Sequence, residues 1–190
     1  NATILPQASF FSACNDGTTG CEPWISDGTP AGTHILLDIE PGLGSSGGDF
    51  FTSLAGKVIF RACNGTNGCE PWVTDGTPAG TILLRDIYPG PSGSNPYQFF
   101  GVGGNLLFIA GDPTNGSEIW RTDGTPGGTA LVANVGPGSS SGVTSVIGVV
   151  GNRLLFIGND GSTGNELWVT DGTLAGTQRL TDLAPGSASA

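Results

Sequence analysis

Four pairs of carboxylates recur along this chain at one spacing, and they are the side chains with the most chemistry to offer. Glu22, Glu70, Glu118 and Glu166 each stand five residues ahead of Asp27, Asp75, Asp123 and Asp171. Each Asp opens an Asp-Gly-Thr in which the carboxylate can accept from the backbone N–H two residues on, while Gly takes the positive φ of a reversal. The other chemistry open to these aspartates is calcium binding, because Asp with nearby carbonyls suits a hard cation. The loops nevertheless lack the dense acidic spacing of dedicated calcium loops. The glutamates have two readings of their own: an acceptor for backbone N–H groups of a neighbouring turn, or a metal or ligand contact. No cofactor is expected, calcium being the one exception the residues admit.

The cysteines form two close pairs, Cys14 with Cys21 and Cys63 with Cys69. A metal site is one use of such pairs, but spacings of seven and six residues on hairpin arms suit disulfides better than zinc. Facing residues on antiparallel strands have Cα atoms about 4.5–5.5 Å apart, within bridging range. Disulfides imply an oxidising compartment. The matching positions further on read as Gly111/Ser117 and Gly158/Asn165. Three Asn-x-Ser/Thr triplets begin at Asn1, Asn64 and Asn115; they are either glycan acceptors or, for the Asn-Gly pairs, turn residues at the b–c hairpin tips. The single histidine, His34, reads as an exposed strand residue. No GxSxG, His-rich cluster or phosphate-binding glycine loop is present, and the carboxylates repeat at equivalent positions, so the sequence does not read as an enzyme.

What positions these residues is a repeat. Trp24, Trp72, Trp120 and Trp168 follow one another at 48 residues, within CEPWISDGTPAGT, CEPWVTDGTPAGT, SEIWRTDGTPGGT and NELWVTDGTLAGT. An apolar run precedes each and another follows, then a Gly/Ser-rich stretch and a short strand. Each unit reads as four strands of about five residues, a to d, for example FFTSLAG, KVIFRAC, CEPWVT and TILLRDI. Helical periodicity is absent. The fold class is therefore all-β and propeller-like: a single repeat domain over 1–190 with four-stranded antiparallel blades at about 1–49, 50–97, 98–145 and 146–190. The first strand a is expected at Ala2–Leu5. Period-two alternation puts each Glu on the face of its Trp, and the Trp is expected to fill the space between stacked blades as a structural core residue.

ELWVTDGTLAGT (Glu166 to Thr177) and EIWRTDGTPGGT (Glu118 to Thr129) resemble the ELWxxDGT repeat, found in tandem in large secreted or surface proteins, mostly bacterial. The resemblance covers the whole chain in four copies, with Pro23 and Pro71 in place of the usual Leu in the first two. It implies an extracellular location and propeller architecture, and no particular ligand.

Composition narrows the partners. Six Lys plus Arg against sixteen Asp plus Glu give a net charge of −10, which disfavours nucleic acid and anionic membranes. No apolar run is long enough to span a bilayer, and any signal peptide is expected to have been removed. The expected role is an extracellular structural or adhesive module of a matrix, filament or surface protein, partnered by itself or by other extracellular proteins. The alternative is a carbohydrate-binding lectin with one site per blade.

Overall fold

The computed structural model describes residues 8–15 and 17–182, which form fifteen strands and no helix. The expected strand at Ala2–Leu5 and Asn1 lie outside the described residues. The chain is a succession of antiparallel meanders. The first sheet holds β1 (Ser9–Asn15), β2 (Gly20–Ser26) and β3 (His34–Ile35). The second holds β4 (Asp49–Leu54), β5 (Lys57–Asn64), β6 (Gly68–Thr74) and β7 (Ile82–Leu83). The third holds β8 (Tyr97–Val102), β9 (Asn105–Asp112), β10 (Gly116–Thr122) and β11 (Ala130–Ala133). The fourth holds β12 (Val143–Val150), β13 (Arg153–Asn159), β14 (Asn165–Thr170) and β15 (Gln178–Arg179).

Two strand types depart from the expected five residues. Strand d is only two residues long in three of the sheets. In the second sheet Leu84 N–H donates to the Pro71 carbonyl at 2.9 Å and proline has no N–H to return the bond, but the fourth sheet stops at the same place with Leu167 in that position, where Leu180 N–H donates to the Leu167 carbonyl at 2.8 Å. Where Ile119 replaces that proline, the pairing runs on to Ala133. Strand a is bulged, with register shifts between Asp49 and Thr52 and between Tyr97 and Phe100. At each shift a non-glycine residue, Phe50 or Gln98, takes a left-handed φ of 56° or 55°.

The described residues divide into two compact units, one running to Pro96 and including Gly124–Pro126, the other made of Tyr97–Asp123 and Gly127 onward. In the first unit, Phe60, Ala62 and Trp72 of the second sheet pack with Ile39, Leu37, Phe51 and Leu83. Ile39 and Leu37 lie just after β3, so the Phe/Trp face of the second sheet covers the exit of the first. In the second unit, Phe156, Leu154 and Trp168 of the fourth sheet close on Leu107, Ile109, Ile119 and Val132 of the third. Strand b is buried because both its faces meet protein: Leu106, Leu107, Phe108 and Ile109 are each no more than 2 % exposed.

Candidate functional site

Each recurring glutamate lies on strand c with its carboxylate fully buried. Glu22 accepts from Ile39 N–H (2.9 Å), Ser46 N–H (3.0 Å) and the Ser46 hydroxyl (2.5 Å). Glu70 repeats the arrangement with Ile87 N–H (3.1 Å), Tyr88 N–H (3.0 Å), Ser94 N–H (2.8 Å) and the Ser94 hydroxyl (2.5 Å). All these donors belong to the segment joining strand d of one repeat to strand a of the next. The glutamate is thus a latch on that crossing, supplying the acceptors that its irregular backbone lacks. Burial pushes the Glu70 carboxyl up, against the Ser94 and backbone donors. Glu118 has only part of the set. Gly136 N–H donates at 2.8 Å, but Gly142 stands where Ser46 and Ser94 stand, and Oε2 is buried with no partner. Burial raises the Glu118 carboxyl to about 7. Glu166 is likewise fully buried.

The aspartates build turns. Asp27 Oδ1 accepts from Thr29 N–H (2.9 Å) and from the Thr29 hydroxyl (2.7 Å), and Thr29 Oγ1 accepts from Gly32 N–H at 3.0 Å. Asp75 with Thr77 and Asp171 with Thr173 have the same bonds. The threonine donors hold these three carboxyls below the usual range. The second glycine of the motif has a separate cause: a Cβ on Gly32, Gly80, Gly128 or Gly176 would sit within about 2.1 Å of the Asp carboxylate. The carboxylate occupies the space a Cβ would need, which explains why the motif reads Asp-Gly-Thr-x-x-Gly-Thr. Among the described residues no group of three or more His, Cys, Asp or Glu is placed to hold a metal.

Cys14–Cys21 and Cys63–Cys69 are disulfides between facing residues of strands b and c, with Cα atoms 3.8 Å apart in both. Ser117 faces Gly111 in the third sheet, as the repeat implies. In the fourth the expected Gly158/Asn165 pair is displaced by one residue: Asn159 faces Asn165 and donates to its Oδ1 at 3.1 Å, while Gly158 faces Glu166. Asn64 Oδ1 accepts from Thr66 N–H and Asn67 N–H, whereas the Asn115 side-chain nitrogen donates to Asp112 Oδ2 at 2.8 Å. The two triplets therefore occupy different turn positions. His34 is exposed at the start of β3.

Trp72 and Trp120 are buried and Trp24 and Trp168 half-buried. Trp24 stacks near Phe11, with centroids 6.4 Å apart, and donates its indole N–H to Ala13 O at 3.0 Å. The Trp72 and Trp168 indole nitrogens are buried without an acceptor.

One constellation escaped the sequence reading. In the first unit a cavity of about 260 Å³ is lined by Ser12, Ser46, Gly47, Gly48, Asp49, Arg61 and Cys63. Arg61 grips Asp49 through Nε (2.9 Å) and Nη2 (2.5 Å), and its guanidinium lies 5.1 Å from the Phe50 ring centroid. The signal available in the sequence was a break in the repeat. At the register of Asp49/Arg61 the third sheet has Tyr97/Ile109 and the fourth Ser145/Ile157.

No protein-family model matches the chain, and no curated protein matches it. Among solved structures, a puromycin hydrolase matches 83 % of the chain at 15 % identity and a TM-score of 0.47, the chain spanning 26 % of the hydrolase. A protein described as an exo-β-1,3-galactanase from Bifidobacterium bifidum s17 matches 90 % of the chain at 16 % identity and a TM-score of 0.41, with 66 % of that protein covered. These neighbours are enzymes, so the exclusion of enzymatic function drawn from the sequence is withdrawn. Catalysis needs only a few side chains that the fold brings together, and repeat spacing does not reveal such a meeting. At this level of likeness neither substrate nor catalytic residues carry over.

Proposed function

We propose that the chain is an extracellular structural or adhesive module of ELWxxDGT-type tandem repeats, its sheets forming consecutive blades of a β-propeller. One observation carries the reading: the repeated carboxylates are spent on the chain's own backbone. Glu22 and Glu70 hold the crossings between repeats, and Asp27, Asp75 and Asp171 hold hairpin turns. Repetition of this kind maintains a scaffold rather than displaying a ligand site in every unit, which counts against the lectin alternative with one site per blade.

The blade assignment is supported by the faces each unit buries, Phe/Trp of one sheet against aliphatic residues of the sheet or connection before it. The extracellular assignment is supported by the two disulfides. Homotypic bead aggregation tests the function. Beads coated with the full chain should clump with one another at neutral pH, and sedimentation velocity should show concentration-dependent self-association. Beads that stay dispersed, together with a monomer at every concentration, overturn the reading. Binding on a glycan array in place of self-association favours the lectin.

A further inference from the structure

We propose that the cavity at Asp49 and Arg61 is a binding site for a single neutral sugar ring, present once in the chain and not once per repeat. The backbone there is ordinary for the molecule: β4 and β8 share the same bulge, and Phe50 and Gln98 share the same left-handed φ. Only the side chains differ. Two facing positions that carry Tyr97/Ile109 and Ser145/Ile157 elsewhere carry a bidentate ion pair here, at the mouth of a cavity. β8 makes the same bulge with Tyr97 and Ile109 at these positions, so the fold does not require an ion pair there. Its side chains are 28 % and 45 % exposed, open enough to meet a ligand.

The chemistry selects the ligand class. A carboxylate only accepts hydrogen bonds and a guanidinium only donates them. Side by side, they match neighbouring hydroxyls of a polyol, one donating to Asp49 and the next accepting from the Arg61 nitrogen that Asp49 leaves unused. On the wall the Ser12 hydroxyl donates to the Gly47 carbonyl at 3.4 Å, which leaves the hydroxyl oxygen able to accept from a ligand. An anion would meet Asp49 and a chain of net charge −10, and a cation would meet Arg61, so a neutral ligand is favoured. The cavity of about 260 Å³ lies just below the ~300–1,000 Å³ of drug-sized sites and suits one ring. Phe50 backs the guanidinium and fixes its plane. Gly48 keeps the wall thin, since a Cβ there would lie 2.8 Å from the Phe51 ring and 3.2 Å from Pro23.

The test is an amide-resolved NMR titration of the full chain with D-glucose, D-galactose, D-mannose and N-acetyl-D-glucosamine, with D-glucuronate as the anionic probe. At least one neutral sugar should give saturable shifts at Gly47, Gly48 and Asp49, with a dissociation constant of about 1–30 mM. Asp49→Asn and Arg61→Gln should each weaken it by about tenfold or more without altering the rest of the spectrum. Should Arg61→Gln not fold, Asp49→Asn and Ser12→Ala decide. The proposal is overturned by no saturable shift from any neutral sugar up to ~100 mM. Shifts confined to other sheets, binding of glucuronate alone, or full affinity in the folded variants overturn it equally.

Discussion

Glu118 occupies the position of Glu22 and Glu70, but Gly142 deprives it of the hydroxyl that its counterparts receive from serine. Its carboxyl is raised from 4.5 to about 7, so the folded state holds a proton that the unfolded chain releases. The stability it contributes is fully present below 4.5 and is lost as pH rises through about 7. Glu70 acts in the same sense. Asp27, Asp75 and Asp171 act in the opposite sense, contributing above 3.8 and losing that contribution on acidification. Melting temperature should therefore fall between pH 4.5 and 7 in the parent protein, and Glu118→Gln should flatten that limb. Parallel slopes for the two proteins would show that Glu118 is not the titrating group. Gly80 offers a second test, since its Cβ would lie 2.0 Å from Asp75 Oδ1. Gly80→Ala should cost about 1–3 kcal/mol. Asp75→Ala in the same chain should recover much of that loss, giving a non-additive cycle in chemical denaturation.

At the scale of the element, the b–c hairpin is closed in two ways. The first two sheets use disulfides, whose reduction should cost about 2–3 kcal/mol each on the chain-entropy account. The fourth uses the Asn159–Asn165 hydrogen bond at the same register. Asn159→Cys with Asn165→Cys should therefore oxidise to a third bridge and raise the melting temperature, whereas free thiols under oxidising conditions would refute the equivalence. Strand c also grades the tryptophans. Trp72 is 9 % exposed within the Phe60–Ile39 cluster, and Trp72→Ala should remove about 3–5 kcal/mol of stability. Trp24 is half-buried and should cost less when truncated. Equal losses in denaturant midpoint would mean that burial does not set the difference.

Across the whole molecule, charge governs association. A net charge of −10 opposes the approach of copies at neutral pH, so self-association there must overcome it, and the isoelectric point is near 4.1. Self-association should strengthen as pH falls towards that value and as salt screens the repulsion, both measurable by light scattering. A particle size indifferent to both would place the adhesive contacts outside the charged surface.

The sequence by itself determined the all-β class, the positions of the strands, the turn chemistry of Asp-Gly-Thr and both disulfides. Each of these is set by neighbours in sequence or by an exact repeat of local pattern. It pointed to two uses for Glu22 and Glu70 without choosing between them, because their donors, backbone N–H groups and the hydroxyls of Ser46 and Ser94, lie 17 to 24 residues downstream and meet the carboxylates only in the fold. It did not explain the second glycine of the turn, whose cause is a carboxylate filling the place of a Cβ. Only the tertiary structure joined Asp49 to Arg61 across a strand pair and set them over a cavity. Facing partners depend on register, and a bulge at Phe50 shifts that register in a way that counting residues does not reveal.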